Sequence, residues 1–185
     1  DQLKPEAAAA SAQLHALGIR TVMLTGDNAG SAQHVAAQLG IDEVHAQLLP
    51  EDKARIIGQL RAQGQIVAMV GDGINDAPSL AAADVGMSMA TGSDAAMQAA
   101  AITLMRGDLR LVADSLDISR RSYRKIRQGL FWAFAYNTLG IPLAALGLLS
   151  PVLAGAAMAA SSVSVVANAL MLRRWRAQSG SPQAH

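Results

Sequence analysis

The sequence predicts an α/β domain built on a parallel sheet, followed by an α-helical transmembrane hairpin. Three observations predict it. Residues 1–106 alternate short apolar runs with helix-like segments, several of them closed by Gly. The stretch Ile66-Val-Ala-Met-Val-Gly71-Asp72-Gly73-Ile74-Asn75-Asp76-Ala77-Pro78 reads as a buried strand ending in two carboxylates and a small-residue helix start. Residues 129–149 and 152–172 carry no charged side chain and are flanked by clusters of Arg and Lys.

The elements follow in order. Pro5 to Leu17 is an Ala-rich helix with Pro in its first turn and Gly18 as its stop. Arg20 to Leu24 is a strand, Asn28 to Leu39 a helix closed by Gly40, and Val44 to Ala46 a short strand. Pro50 to Ala62 is a helix before Gly64, and Ile66 to Val70 is the strand of the carboxylate motif. Asp76 to Ala82 is a short helix, Val85 to Met89 a strand, Ser93 to Ala99 a helix and Ile102 to Met105 a last strand. Strands separated by helices of this length imply parallel pairing with right-handed crossovers, and such sheets bind ligands beyond the carboxyl ends of their strands. Residues 107–128 form a connecting helix that starts at Asp108 and runs on into the first apolar segment, which would transmit motion rigidly. Residues 173–185 are a basic tail.

Composition agrees with two halves of different physics. Among 185 residues only 16% are charged, 3% are aromatic and the net charge is +1, while mean hydropathy is positive. No global field argues for nucleic acid. The absence of Cys excludes disulfides and thiolate ligands within these residues. Asp1-Gln-Leu-Lys4 lacks an initiator Met and an apolar core, as in a piece of something longer. Each charge-free run is about the 20 residues a bilayer span needs, and only Ser150-Pro151 separates them. Arg120, Arg121, Arg124, Lys125 and Arg127 precede the first run and Arg173, Arg174 and Arg176 follow the second. Basic flanks place both ends in the cytoplasm, with the soluble half, and the protein in the plasma (inner) membrane. A buried helical hairpin and a nucleic-acid patch are the competing readings of these features.

Three segments carry polar groups suited to phosphate. Val22-Met-Leu-Thr25-Gly26-Asp27-Asn28 delivers a hydroxyl and backbone N–H groups to a helix start, a natural anion site, although the same residues are good N-caps. In Leu49-Pro50-Glu51-Asp52-Lys53 the lysine lies in the first turn of its helix, where a cation opposes the macrodipole unless an anion is near. At the third, Gly71 and Gly73 let backbone approach a phosphate without a Cβ in the way, Asn75 can reach a phosphate oxygen, and Asp72 and Asp76 are hard oxygen donors. Gly, Asp and Asn are also turn residues, so a plain strand–turn–helix corner is the alternative. His15, His34 and His45 lack ligand spacing, and Met23, Met69, Met87 and Met89 fall in strands as core candidates.

Taken in order, Asp1-Gln-Leu-Lys4-Pro5, Thr25-Gly-Asp27, Pro50-Glu-Asp-Lys53 and Gly71-Asp72-Gly-Ile-Asn75-Asp76-Ala-Pro78 resemble the phosphorylation domain of P-type ATPases. That family has the haloacid-dehalogenase-like fold, a Rossmann-type parallel sheet. The resemblance implies Asp72 and Asp76 as the Mg²⁺ carboxylates, Thr25, Gly26 and Asn75 as phosphate contacts, Asp27 beside them, and Lys53 as the cation that neutralises the phosphoryl group. It also implies ATP as phosphoryl donor. The family's acceptor Asp, in an Asp-Lys-Thr-Gly-Thr motif, and its nucleotide-binding domain are absent from these residues, so the isolated chain is expected to be inactive.

The apolar half adds a second site. Tyr136-Asn137 lies near the centre of the first run, with Pro142 beyond it, and Met158, Ser161 and Ser162 share one helix face in the second. A thioether is a soft ligand that favours a monovalent copper-like ion; packing is the ordinary role of such residues. The constellation resembles the copper(I)-transporting branch of heavy-metal P-type ATPases, which implies Tyr136, Asn137, Met158, Ser161 and Ser162 as groups for transported Cu⁺. The zinc branch's acidic residue in the last span and Lys in the preceding one do not occur. The expected function is ATP-driven export of Cu⁺ through an aspartyl-phosphate, with the bilayer, the upstream remainder of the pump and a copper chaperone as partners. Ag⁺, Zn²⁺ or Cd²⁺ as cargo, a membrane-anchored phosphatase of the same fold and a non-catalytic adaptor are the alternatives.

Overall fold

The computed structural model describes residues 5–147 and 150–171. The chain divides into two units, Asp1–Asp114 and Ser115–His185.

In the first unit α1 (Pro5–Ala16), α2 (Ala29–Leu39), α3 (Pro50–Ala62), α4 (Ala77–Ala82) and α5 (Asp94–Ala99) alternate with β1 (Val22–Leu24), β2 (Glu43–His45), β3 (Ala68–Gly71), β4 (Val85–Met89) and β5 (Ile102–Leu104). Strand pairs are all parallel, as the alternation predicts, but they form two sheets instead of one. β1 pairs with β2 from Val22↔Glu43 to Leu24↔His45, and β4 lies between β3 and β5. β1 and β3 are not paired with each other.

Local chemistry sets the boundaries. Asn28 Oδ1 accepts from Ser31 N at 2.9 Å, capping α2, and Gly40 ends it at φ 67°. The expected helix Asp76–Ala82 is split: Ile74–Asp76 forms a single 3₁₀ turn and α4 follows, because Pro78 has no N–H to continue an α-helical ladder backwards. Strands are shorter than the apolar runs; Ile66 is 90% exposed and lies outside β3.

The core gathers around β4. Met87 and Met89 are buried with Ile57 of α3, Leu80 of α4, Ala96 of α5 and Leu104 of β5. Burial along β4 continues through Gly86 and Ser88, as in a strand covered on both faces. Met23 and Met69 are only half-buried, so they contribute less to the core than their strand positions suggest.

α6 (Arg110–Ala145) carries the chain into the second unit. It continues through Pro142 and ends where Gly147 turns the backbone at φ 69°. α7 (Pro151–Leu170) returns alongside it: Lys125 Nζ donates to Asn168 Oδ1 at 2.9 Å, and Asn168 Nδ2 to the Lys125 carbonyl at 3.3 Å. Among the described residues no helix is long and apolar enough to cross a membrane. The two apolar runs read from sequence extend to Leu149 and Leu172, which lie outside the described residues, as does the tail from Arg173.

Candidate active site

Helix α3 links the three phosphate-suited segments. Its approach loop is tied to the end of β1: Leu48 N donates to Thr25 O at 3.0 Å and Gln47 N to Asp27 O at 2.8 Å. Its first turn begins at Pro50 and is held by Asp52, whose Oδ2 accepts from Leu49 N at 3.1 Å. Lys53, one residue on, reaches the third segment. Its Nζ donates to Asp76 Oδ1 at 2.8 Å, with only 17% and 14% of the two side chains exposed. The anion that a cation near a helix N-terminus calls for is therefore supplied within the chain.

Asp76 is fixed on both sides. Oδ1 takes Lys53, and Oδ2 accepts from Gly73 N at 3.2 Å. This corrects the reading of Gly71. A Cβ there would lie 2.7 Å from Asp76 Cβ and 3.0 Å from Asp76 Cγ, so the missing side chain makes room for Asp76, not for a phosphate. Gly73 is similarly tight, with Asp76 Oδ2 3.2 Å from a built Cβ.

Asp72, at the carboxyl end of β3, is exposed, and its carboxylate has no hydrogen-bond or ion-pair partner among the described residues. Its backbone is anchored: Ser93 N donates to Asp72 O at 2.8 Å. A Cβ on Gly92 would meet that same oxygen at 2.9 Å, so the loop needs glycine to pack here. Thr25 Oγ1 accepts from Asp27 N at 3.1 Å, which leaves the hydroxyl hydrogen free to donate. Gly26 and Asp27 are exposed beside it. Asn75 is exposed in the 3₁₀ turn, and no hydrogen bond joins it to the other candidates among the described residues.

These donors fit Mg²⁺. The ion takes hard oxygens, binds through one or two carboxylates and keeps several waters or phosphate oxygens. Asp72 offers an uncommitted carboxylate and Asp76 a second one four residues on. Among the described residues no group of three or more His, Asp or Glu that could hold a metal ion is present. The three histidines among the described residues are engaged elsewhere: His15 Nε2 contacts Asp42 Oδ2 at 2.9 Å, His45 contacts Glu43 at 2.8 Å and His34 contacts Gln38 at 3.0 Å.

Sequence reasoning missed Gln47, Gly92 and Ser93. Gln47 sits in left-handed backbone at φ 57°, which turns its N–H toward Asp27 O. Nothing about glutamine signals that conformation. Thr91-Gly92-Ser93 does carry a turn signature.

In the second unit, the Tyr136 ring lies 6.1 Å from that of Trp132 between centroids, tilted by 37°. Asn137 Nδ2 donates to Ala133 O at 2.9 Å, and Ser162 Oγ to Met158 O at 3.1 Å, so both satisfy backbone of their own helices. Met158 is 73% exposed and Ser161 half-buried. No hydrogen bond joins Tyr136 or Asn137 to Met158, Ser161 or Ser162 among the described residues.

Parallel strands alternate with helices, Thr25 follows β1, Asp72 follows β3, and Lys53 and Asp76 lie on the helical segments that come next, an α/β arrangement of the haloacid dehalogenase-like kind; residues 1–84 match the family model described as haloacid dehalogenase-like hydrolase. The particular relatives are ion pumps. Over 176 residues the chain is 56% identical to a copper-exporting P-type ATPase of Staphylococcus aureus (strain bovine RF122 / ET3-1), covering 95% of this chain and 22% of that protein. The crystal structure of a zinc-transporting PIB-type ATPase in its E2.Pi state is similar with a TM-score of 0.85 and 40% identity, over 94% of this chain and 28% of that one. The catalytic domain of the CPx-ATPase CopB-B is similar with a TM-score of 0.54 and 36% identity, over 57% of this chain and 44% of that one. The chain thus spans about a fifth of the length of the curated relatives it matches.

Proposed function

We propose that this chain is the C-terminal part of a heavy-metal-transporting P-type ATPase that exports Cu⁺ across the plasma membrane through an aspartyl-phosphate. The observation that carries the reading is the Lys53–Asp76 ion pair beside the uncommitted carboxylate of Asp72 at the end of β3. Phosphoryl transfer is chiefly positioning and charge stabilisation. Mg²⁺ held by Asp72, with Asp76 beside it, would neutralise charge on the phosphoryl oxygens. Lys53, oriented by Asp76, presents its remaining N–H groups to the same oxygens. The Thr25 hydroxyl and the exposed backbone of Gly26 and Asp27 hold the phosphoryl group from the β1 side, and Asn75 closes over it from the 3₁₀ turn. The acceptor Asp and the ATP-binding part belong to residues upstream. A further parallel strand between the unpaired β1 and β3 would bring that Asp to the carboxyl ends where Thr25 and Asp72 sit.

The second unit is read as the membrane part. Phe131, Leu139, Ile141, Leu146, Val152 and Val163 are all more than 60% exposed, far more apolar surface than a helix pair facing water carries. Lipid and upstream helices would cover it, with both basic ends cytoplasmic. The Lys125–Asn168 pair sets the antiparallel register. Tyr136 is about 16 Å from Lys125 and Met158 about 15 Å from Asn168 at the helical rise, so Tyr136-Asn137 and Met158 stand at one level. A thioether there supports Cu⁺ over the harder Zn²⁺, as does the 56% identity to a copper-exporting relative. A copper chaperone would deliver the ion.

The test is phosphorylation of the full-length protein from ATP. The reading expects an acid-stable, hydroxylamine-sensitive phosphoenzyme whose turnover is stimulated by Cu⁺ and Ag⁺. Stimulation by Zn²⁺ or Cd²⁺ alone would reassign the cargo. Phosphate-ester hydrolysis without such an intermediate, or no ATP-dependent labelling, would overturn the pump.

A further inference from the structure

The basic segment of α6 has an internal order that a diffuse positive charge does not require. Arg120, Tyr123, Arg124, Arg127 and Phe131 stand at positions i, i+3, i+4, i+7 and i+11, so they line a single stripe of the helix. The stripe is basic at its start and aromatic at its end, about 16 Å further along the axis. These residues and Trp132 border a concavity of about 600 Å³. The ring of Phe131 lies edge-on to Trp132 at 5.6 Å, and Trp132 in turn makes a tilted contact with Tyr136 at 6.1 Å. The Arg127 guanidinium sits 5.9 Å from the centroid of Tyr123.

Two of the charges on this stripe, Arg124 and Arg127, differ from their neighbours. Arg121, one step off it, is ion-paired with Asp117 at 2.8 Å. Lys125 is used by Asn168. Arg124 and Arg127 are exposed, and neither is ion-paired among the described residues. Two guanidinium groups without an ion-pair partner among the described residues suit a phosphate, since their planar forks match its oxygens. The aromatic end suits neither a free anion nor a nucleic-acid backbone, because it continues into the charge-free run from Gly129. A ligand that matches both ends has an anionic head and an apolar body. Trp and Tyr at the edge of an apolar run sit at head-group depth in a bilayer.

We infer that Arg124 and Arg127, with Tyr123, Phe131 and Trp132, form a binding site for an anionic phospholipid, its phosphate on the two guanidinium groups and its acyl chains along the aromatic rings. The inference rests on the membrane reading of this unit. Arg120 and Gln128 also line the concavity.

The test uses the full-length protein in vesicles of equal phosphatidylcholine and phosphatidylglycerol, extracted in mild detergent and weighed by native mass spectrometry. The wild type should retain phosphatidylglycerol in preference to phosphatidylcholine. Arg124→Gln and Arg127→Gln should each weaken that preference about fivefold, Arg124→Lys should lose part of it because the charge stays and the planar fork goes, and Arg121→Gln should leave it unchanged. Co-flotation with pure phosphatidylcholine vesicles checks that each variant still inserts. An unchanged preference in the Arg124→Gln/Arg127→Gln double variant would overturn the site. So would an equal loss in Arg121→Gln, which marks a diffuse field, or displacement of the lipid by inorganic phosphate, which marks a simple anion site. Failure of the wild type to float with phosphatidylcholine would instead overturn the membrane reading, and the lipid site with it.

Discussion

Lys53 and Asp76 come from different helical segments, yet their side chains meet at 2.8 Å with most of their surface covered. Removing either partner leaves the other's charge partly buried. Lys53→Met and Asp76→Asn should therefore each destabilise the protein by about 1–3 kcal/mol. Each should also lower phosphoenzyme formation on the order of a hundredfold. Denaturant midpoints and labelling from ATP read the two effects separately. A variant as stable and active as wild type would show that the pair is incidental.

Gly71 tests the same geometry through sterics. Gly71→Ala places a Cβ 2.7 Å from that of Asp76, so Asp76 must move off Lys53. The expected cost is about 1–3 kcal/mol, with loss of phosphorylation. Gly58 is the control: it lies inside α3 with nothing within 4 Å of a built Cβ. Gly58→Ala should stabilise by about 0.5–1 kcal/mol, with activity intact.

Gln47 holds the loop before α3 against Asp27 from a left-handed conformation. Gln47→Gly keeps the N–H and relieves the backbone, so it should stabilise by about 0.5–1 kcal/mol. Gln47→Val should destabilise. Thermal melting of both variants measures this, and equal melting would remove the strain argument.

These contacts show what the sequence carried. The order of elements from Pro5 to Leu104 was legible because Pro50, Gly18, Gly40 and Gly64 punctuate it and the apolar runs are short. Val85–Met89 was legible to the residue, since its neighbours on both sides are turn residues. The run at Ile66 was misleading: its first two residues precede the paired strand, where no neighbour lies to cover Ile66. At the site, residue types were legible and partners were not. Lys53 looked like a cation awaiting phosphate, and its contact with Asp76 depends on the packing of α3 against the 3₁₀ turn. The role of Gly71 was hidden for the same reason.

The surface carboxylates set the acid limit. Thr21 N–H and then its hydroxyl, with His15 behind them, hold Asp42 below the ordinary carboxylate value of 3.8 against the opposing effect of burial. The Val67 N–H, and with it Arg61, does the same for Asp84. A carboxyl whose folded pKa is depressed contributes stability above its ordinary value and loses it as pH falls through the lower folded value. Stability should therefore drop below about pH 4, and Asp42→Asn and Asp84→Asn should flatten that acid limb while lowering the neutral plateau. Denaturant midpoints measured across acid pH check the slope; parallel curves for wild type and variants would contradict it.

A variant at Met158 tests the proposed transport separately from the phosphate site. Met158→Ala in the full-length protein should lower metal-stimulated turnover by about tenfold or more, while phosphorylation by inorganic phosphate continues. Unchanged metal stimulation would return Met158 to a packing role.

The account stands or falls on Asp72. The direct measurement is phosphoenzyme formed from ATP by full-length Asp72→Asn across a Mg²⁺ titration, with folding checked by its denaturant midpoint. The Asp72 carboxylate has no partner among the described residues to lose, and its backbone bond to Ser93 N is kept in the variant, so the variant should fold as well as wild type. It should form no phosphoenzyme at Mg²⁺ concentrations that saturate the wild type. Wild-type labelling with an unshifted Mg²⁺ dependence would contradict the assignment of this corner as the magnesium end of a metal pump.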